Sequence, residues 1–363
     1  MAERHPGLDG VRAITMLLVV AGHAVVSFMV TPVGWAIQDR SRFLGADLAA
    51  WIIRAFAMPT FFWLSGFASR AVLERRGLRG FVTQRLMRVV LPLAIALVPC
   101  SLAVSALWDW GREVSLRGAV PDLAPKLKPS ELAIMLGHLW FLYYLTWLSG
   151  AAIAVTSLVR ALPRWLPMLA VPLVPSLGVL AYLGALHTDT PLGFIPDMAT
   201  LCYMGGFFAW GWIVHARPGE LDRYARRAWP AGLLALGALA IVIVTLARAR
   251  SVAAPPPLYA IAASAVFTVA VMVFALGGGV RYLVRRHAVL ELTADASFTL
   301  YILHLPTAVL LQIVLANAPI FGPIKFLAIV AMTLVVGVGL HVVVRRWQRG
   351  RRSPPVSAAR ARA

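Results

Sequence analysis

Arg12 and His23 lie in the first long apolar run of the chain, with ten residues between them. On an α-helix, eleven steps return to within roughly 20° of the same face and separate the two groups by about 16 Å along the axis. One helix face would therefore join a guanidinium at the edge of a membrane to an imidazole near its middle. Imidazole titrates near neutral pH and can act as a general base or a nucleophile. A core histidine bonded to a backbone carbonyl is the structural alternative, but ionisable groups inside membrane spans are costly and usually functional.

Asp9 precedes Arg12 by one helical turn, so an i,i+3 ion pair could hold the guanidinium at the membrane boundary. Arg85 and Arg88 are likewise one turn apart, with Arg75, Arg76 and Arg79 upstream. Two such guanidinium groups suit one phosphate group. Attraction of basic loops to anionic lipid is the alternative interpretation.

Two further clusters contain small or polar residues within apolar segments. The run at 61–67 contains Ser65 and Gly66, whose small side chains allow close approach of another helix or of an apolar ligand chain. Taken alone, aromatic packing around a glycine contact is the better interpretation of this run.

The other cluster combines His138 and Trp140 with Ser297, Tyr301 and His304. The last three residues share one helix face and predict a polar stripe that ends at mid-membrane. Such a stripe needs a polar partner or a water-filled cavity. Hydrogen bonding between helices is the structural alternative.

The composition predicts an all-α, polytopic membrane protein. Hydrophobic residues make up 60% of the 363 residues and charged residues 13%, about half the soluble average. Segments of about 20 apolar residues can cross a bilayer. Ten segments are predicted, at 11–30, 46–69, 87–108, 133–157, 165–186, 198–215, 229–247, 258–280, 297–317 and 323–345.

The net charge of +19 is distributed as expected for a membrane protein rather than a nucleic-acid-binding one. Sorted by alternate loops, 24 of the 34 Lys and Arg residues lie on one side and 9 on the other. The positive-inside rule then places both termini in the cytoplasm. We expect residues 1–347 to form the membrane domain and 348–363 a basic, disordered tail attracted to anionic lipid.

The first apolar run is longer than the core of a typical signal peptide, so we expect it to be retained. Cys100 and Cys202 both fall in apolar segments and are interpreted as buried free thiols rather than a disulfide or metal pair. No metal site is predicted.

Taken together and in this order, these motifs resemble those of the acyltransferase 3 family, the polytopic bacterial membrane O-acyltransferases. The similarity extends to about Arg346 and includes the Leu8–Arg12 opening with His23, the 61–67 run, Arg85 with Arg88, and Ser297 with Tyr301 and His304. Met58-Pro59 and the 138–142 run look like the branch that contains the glucan succinyltransferases.

The resemblance implies acyl transfer from cytoplasmic acyl-CoA, most simply acetyl or succinyl, to a hydroxyl of an extracytoplasmic glycan or glycoside. The implied location is the bacterial cytoplasmic (inner) membrane, with acyl-CoA as co-substrate and no tightly bound cofactor. The motif match assigns an essential role to His23 and coenzyme binding to Arg12, Arg85 and Arg88. Asp9, Ser65, Gly66, His138, Trp140, Ser297, Tyr301 and His304 would support the site.

Two mechanisms are open at this stage. His23 would either take a proton from the acceptor hydroxyl or carry the acyl group as an acyl-imidazole. Either route requires an oxyanion donor, for which Ser65, Tyr301 and His304 are candidates. His138 is expected near the acceptor.

Two other functions fit parts of the pattern. A proton-coupled transporter of a small anionic or sugar substrate would suit ten spans with intramembrane His and Arg, but no repeat relates the two halves of the chain. A non-catalytic scaffold or a flippase partner would leave costly intramembrane ionisable groups without a use. The acyl group, the acceptor and the oligomeric state are not specified by the sequence.

Overall fold

The computed structural model describes residues 5–31, 33–117, 134–160, 167–248, 255–285 and 287–352. In these ranges the chain forms ten α-helices and no strand, which confirms the all-α prediction. The helices are α1 (Pro6–Val25), α2 (Leu44–Arg85), α3 (Leu91–Arg117), α4 (Trp140–Arg160), α5 (Ala170–Leu183), α6 (Met198–His215), α7 (Glu220–Arg248), α8 (Leu258–Tyr282), α9 (Ala288–Leu315) and α10 (Gly322–Arg352).

Each predicted apolar segment overlaps one of these helices. Six helical segments of the described chain are long and apolar enough to cross a membrane, and one of them, Leu44–Ser115, contains both α2 and α3. The apolar helix α5 is shorter than a span. The chain is therefore a multi-pass membrane protein, whereas ten crossings and cytoplasmic termini stay predictions. Helix α10 continues past the predicted boundary at 347 to Arg352, and the rest of the predicted tail, residues 353–363, lies outside the described residues.

Helices α1 and α8 form the inside of the bundle. Of their most apolar stretches, 56% and 72% of the residues are buried, compared with 17% for α10 and 22% for α7. The outer helices expose large apolar side chains such as Leu233, Leu236, Val335 and Val343. Because exposed apolar surface of this extent suits lipid rather than water, α7 and α10 form part of the lipid-facing side.

Helices α2 and α6 cross with their backbones in direct contact. A Cβ atom on Gly66 would lie 2.0 Å from the Phe208 carbonyl oxygen, and one on Gly211 would lie 2.0 Å from the Trp63 carbonyl oxygen. Only glycine fits at either position, since the neighbouring atoms belong to backbone that cannot rotate away. This crossing fixes the position of the 61–67 run.

Helix α2 contains a break at Gly77, whose φ of 64° and ψ of −177° belong to a region that is essentially restricted to glycine. Residues 69 and 85 would lie about 24 Å apart on a straight helix. Here Arg85 Nη2 donates to Ser69 Oγ over 2.7 Å. The chain therefore reverses at Gly77 and brings the second half of α2 back against the first, before a short π-helix (Leu86–Val90) leads into α3.

Candidate active site

Arg12 and His23 lie on one uninterrupted helix, as the sequence predicts. Proline at the first helical position suits the start of α1, because its missing N–H has no helical partner there. Arg12 Nη2 lies 3.2 Å from Asp9 Oδ1, the expected i,i+3 ion pair. The guanidinium Nε of Arg12 is buried without a hydrogen-bond partner in the described residues.

Three histidines from different helices meet at the C-terminal end of α1, and we name them the histidine cluster: His23, His138 and His304. The rings of His23 and His304 are 4.9 Å apart between centroids, and those of His138 and His304 are 5.3 Å apart. His304 lies on α9, whereas His138 lies in a 3₁₀ turn (Gly137–Leu139) directly before α4. From the sequence, His138 and His304 were grouped in one cluster and made possible supports of the His23 site, but no contact between the three rings was specified.

Backbone carbonyls fix the orientation of two of these imidazoles. His304 Nδ1 lies 2.8 Å and 3.1 Å from the carbonyl oxygens of Tyr301 and Leu300. Carbonyl oxygens only accept, so Nδ1 carries the proton and Nε2 keeps a free lone pair. That Nε2 is buried and has no hydrogen-bond partner in the part of the chain that the structure describes. His304 can therefore accept a proton next to His23.

His138 is anchored in a similar way but through its other nitrogen. Its Nε2 lies 2.9 Å from the Ile302 carbonyl oxygen and donates to it. The Tyr301 hydroxyl donates in turn to the His138 carbonyl. Gly137, with φ of +50°, allows the tight turn that presents His138 to α9. Because its hydroxyl is already bonded, Tyr301 is poorly suited to the oxyanion role considered from sequence.

Two residues that the sequence analysis did not single out, Trp35 and Gln312, also contact His23. The Trp35 indole stacks on the imidazole with centroids 5.8 Å apart and ring planes 15° from parallel. Gln312, on α9, donates through Nε2 to the His23 carbonyl oxygen over 2.9 Å. A polar glutamine in the ninth apolar segment could have indicated a buried contact from the sequence. Trp35 lies between helices, and nothing in the sequence distinguished it.

Other predicted site residues lie outside the cluster. The Ser297 hydroxyl donates to the Thr293 carbonyl of its own helix over 2.9 Å, and its role in the predicted polar stripe stays a prediction. Trp140 packs against Phe62 and Tyr144. These contacts give both residues a packing role.

The 61–67 run has the structural role that was its plainer interpretation. Phe61 and Phe62 pack against Phe141, and Gly66 forms the crossing with α6. The Ser65 carbonyl accepts a hydrogen bond from Ser69, whose hydroxyl also binds Arg85. Phe141 also packs on Tyr301, so the run contacts the histidine cluster indirectly, through these two aromatic residues.

Basic residues gather near the other end of α1, and we name Arg70, Arg85 and Arg88 the arginine region. Arg85 bonds Ser69 and lies over the Phe81 ring, while Arg70 lies over Trp212 and pairs with Glu74. Arg70 Nη1 and Arg85 Nε are buried without partners among the described residues. Arg70 was not singled out from the sequence; it follows Ser69, which the reversal at Gly77 brings against Arg85.

Arg88 differs from Arg85 in exposure and direction. With Arg76 and Arg79 it lines a groove of about 500 Å³, which also contacts Thr83 and Gln84. His215, which pairs with Glu74, is within electrostatic range of His5. The arginine region therefore lies at the same end of the bundle as the start of α1, and the histidine cluster lies toward the other end.

The cysteines are free in the structure, as predicted. Cys100 is buried and its thiol lies 3.8 Å from the Ile302 carbonyl oxygen, but Cys202 is exposed, contrary to prediction, because it faces out from α6. Across the ranges that the structure covers, no three His, Cys, Asp or Glu side chains are arranged to hold a metal ion.

Comparisons with known proteins identify the family of the chain. The family model described as an acyltransferase domain, acyltransferase 3, matches residues 5–342. Proteins called glucans biosynthesis protein C from Salmonella paratyphi B, Salmonella dublin and Salmonella enteritidis are each 28% identical over 269 residues, covering 69% of this chain and 67% of the relative. No solved structure matches the chain. The chain belongs to the acyltransferase 3 family and is a membrane enzyme that transfers acyl groups.

Proposed function

We propose that this enzyme transfers an acyl group, acetyl or succinyl, from cytoplasmic acyl-CoA to a hydroxyl of an extracytoplasmic glycan or glycoside. It would act in the cytoplasmic membrane of a bacterium with both termini inside. The histidine cluster carries the proposal, because His23 and the free Nε2 of His304 place two basic nitrogens beside each other inside the bundle. Family membership supports the enzyme over the transporter that the span pattern alone allows.

The direction of transfer follows from the two ends of α1. Arg12, Arg85 and Arg88 would bind the phosphates of the coenzyme, because guanidinium groups bind phosphate through paired, charge-assisted hydrogen bonds. His23 lies about 16 Å farther along the same helix, where the thioester at the end of the coenzyme arm would arrive. The glycan would approach from the opposite end, past the segment that contains Trp35.

In the direct mechanism, the acceptor hydroxyl oxygen attacks the thioester carbonyl carbon while His23 takes the hydroxyl proton. The carbon–sulfur bond then breaks, and the departing thiolate receives that proton from the imidazolium. His304 would take part through its free Nε2, which can accept a hydrogen bond from the His23 ring or from the acceptor hydroxyl. General base catalysis of this kind is worth about 10²–10⁴ in rate.

In the relay mechanism, a His23 nitrogen attacks the thioester carbonyl carbon, the carbon–sulfur bond breaks, and the thiolate takes the proton of the other His23 nitrogen and leaves as coenzyme A. The acyl-imidazole is then attacked by the acceptor hydroxyl, the carbon–nitrogen bond breaks, and the hydroxyl proton passes through a neighbouring base to the released His23 nitrogen. His304 is that base in this scheme. The relay requires no simultaneous access of both substrates to one imidazole, which suits substrates that arrive from opposite sides.

The test uses inside-out vesicles that contain candidate glycans and receive radiolabelled acetyl-CoA or succinyl-CoA outside. We expect label on the lumenal glycan with the wild type and with His341→Ala, a matched histidine substitution on α10, but not with His23→Ala. Transfer by a folded His23→Ala variant at the wild-type rate would contradict the assignment of His23. Label trapped on His23 after a rapid quench without acceptor would select the relay mechanism over the direct one.

A further inference from the structure

We propose that Gln312 and Trp35 are positioning residues that together hold His23 in its reactive orientation. The inference rests on the proposed function, since it assigns a role to the surroundings of the reacting imidazole. Neither residue was recognised as part of a motif, and neither touches a reacting atom in the scheme above. Their contacts with His23, and with each other, form a closed set of three residues.

Gln312 fastens the backbone of His23 to helix α9. Its Nε2 donates to the carbonyl oxygens of His23 and Ala24 over 2.9 Å and 3.0 Å, while its Oε1 accepts from Trp35 Nε1 over 2.9 Å. The orientation of the amide follows from its partners, because carbonyls only accept and the indole N–H only donates. With 2% of its surface exposed, Gln312 is buried and its contacts with these three groups are protected from water.

The two carbonyls need such a partner because of how α1 ends. An α-helix leaves its last carbonyls without intrahelical donors. Helix α1 ends at Val25 and a 3₁₀ turn (Val26–Phe28) follows, so the carbonyls of the last turn depend on other donors. Gln312 supplies the missing hydrogen-bond donor from α9, where it lies about two turns beyond His304. It therefore fixes His23 relative to the helix that carries His304.

Trp35 holds the ring of His23, whereas Gln312 holds its backbone. The nearly parallel stack at 5.8 Å covers one face of the imidazole, and Trp108 packs edge-on against Trp35 at 5.2 Å. A stacked ring can rotate little about its Cβ–Cγ bond without losing contact area, so the direction of its two nitrogens is set. This matters because a misplacement of about 1 Å can reduce a reaction rate about 100-fold.

The segment that carries Trp35 is itself fastened at two points. Lys325 Nζ lies 2.9 Å and 3.0 Å from the two carboxylate oxygens of Asp39, and both side chains are buried. At the other point, the Asp47 carboxylate accepts from the backbone N–H groups of Val30 and Thr31. Buried ion pairs and backbone caps of this kind favour one conformation of the segment. Trp35 is thus held in place independently of any ligand.

The chain offers a matched control for each residue. Gln38 is a buried glutamine on the same segment as Trp35, and neither of its amide atoms has a hydrogen-bond partner among the described residues. Trp51 packs against Phe267 on another side of the bundle. Gln38→Leu and Trp51→Phe therefore match Gln312→Leu and Trp35→Phe at residues that, in the described structure, make no hydrogen bond or ring contact to His23.

The first experiment measures kcat, the KM for acyl-CoA and the pH profile of kcat in the purified full-length enzyme. We expect Gln312→Leu and Trp35→Ala to lower kcat at least about tenfold, with the KM for the donor changed less than about twofold. Trp35→Phe keeps a ring on the imidazole and loses one hydrogen bond, so its kcat should fall by about threefold. The acid limb of the pH profile should shift in Gln312→Leu but not in Gln38→Leu.

A second measurement does not depend on activity. Diethylpyrocarbonate modifies histidine, and the rate at His23 can be measured by peptide mass spectrometry with His187 as an internal reference. We expect modification of His23 to accelerate in Gln312→Leu and Trp35→Ala and to stay unchanged in both controls. Equal modification rates at His23 in all variants would overturn the positioning role, even where acyl transfer is intact. If the wild type transfers no acyl group but His23 is modified faster in Gln312→Leu and Trp35→Ala, only the proposed function is contradicted.

Discussion

The histidine cluster and the arginine region differ in the kind of polar atom that each leaves without a hydrogen-bond partner among the described residues. In the cluster, His138 and His304 each bond a backbone carbonyl through one nitrogen, and Gln312 and Tyr301 are fully engaged with neighbouring groups. In the arginine region, nitrogens of Arg70 and Arg85 are buried with no partner among the described residues. The cluster leaves a proton acceptor, His304 Nε2, without a partner, whereas the arginine region leaves cationic donors that the proposed phosphate would complete.

Free energy gives the difference a physical meaning. A buried polar group without a hydrogen bond costs about 1–3 kcal/mol, and more when it is charged. The arginine region bears this cost in the free enzyme and would be relieved of it by the phosphate binding that we propose. Substitutions in the two regions should therefore separate kinetically, with kcat sensitive to the histidine cluster and the KM for the donor sensitive to the arginine region.

The largest effect is expected for His304→Asn. The asparagine amide can still donate to the carbonyls of Tyr301 and Leu300, but it lacks the free nitrogen at the position of Nε2. We expect kcat to fall about 100-fold with little change in thermal stability or in the KM for acyl-CoA. Steady-state kinetics and a melting curve in the same detergent test this, and an unchanged kcat would remove His304 from the mechanism.

The second effect is expected for Gly77→Ala, which alters the arginine region without removing a charge. The backbone conformation at Gly77 costs a residue with a Cβ atom about 1–3 kcal/mol, so the reversal of α2 should loosen and Arg85 should leave Ser69. We expect lower thermal stability and a KM for the donor raised about tenfold, as for loss of a charged hydrogen bond.

Gly150→Ala is the control for the Gly77 substitution. Gly150 lies in α4, and a Cβ atom there would meet nothing within 4 Å. Because alanine favours a helix over glycine, stability should stay the same or rise slightly. A similar loss in both variants would show that glycine content, not the reversal, determines the effect.

The third prediction compares two arginines of the same region. Arg85→Gln and Arg88→Gln should each raise the KM for acyl-CoA several-fold, with kcat preserved. Arg88 is exposed on the groove whereas Arg85 is largely enclosed, so salt should weaken the contribution of Arg88 more than that of Arg85. Donor KM values at about 0.05 and 0.5 M salt test this, with exposed Arg75→Gln as the control. Identical salt dependence for both would contradict the difference in burial.

The smallest effect is expected for Ser297→Ala. The hydroxyl bonds only the Thr293 carbonyl within α9, which keeps its helical partner after substitution. We expect kcat and the donor KM to change less than about twofold, within the usual range for such a surface of a helix. A tenfold loss would support the polar stripe that the spacing of Ser297 suggests.

The sequence allowed prediction of helical features that depend on short spacing. Arg12 with Asp9 and His23 is local to α1, so 3.6-residue periodicity was sufficient to place the three groups. Tyr301 and His304 were placed on one face of α9 for the same reason. The meeting of His138 with His304 depends on how α4 and α9 pack, and no periodicity within either helix contains that information.

The arginine region shows a second limit. Spacing predicted that Arg85 and Arg88 act together, but the predicted spans at 46–69 and 87–108 left residues 70–86 as one loop. The positive φ of Gly77 turns this stretch back on itself, which makes Ser69 and Arg85 neighbours although sixteen positions separate them in the sequence. A glycine between arginines is compatible with a loop or a reversal, so composition could not distinguish the two.

The continuity of α1 has a consequence for how the enzyme could be re-engineered. A helix couples rotation to length, at about 100° and 1.5 Å per residue. One residue inserted between Arg12 and His23 would turn the imidazole away from Trp35 and His304 while lengthening the helix very little. Four inserted residues would nearly restore the angle and add about 6 Å of distance. Helix α1 therefore sets both the angle and the distance between Arg12 and His23. Insertions of chosen length can change this distance while nearly preserving the direction in which His23 points.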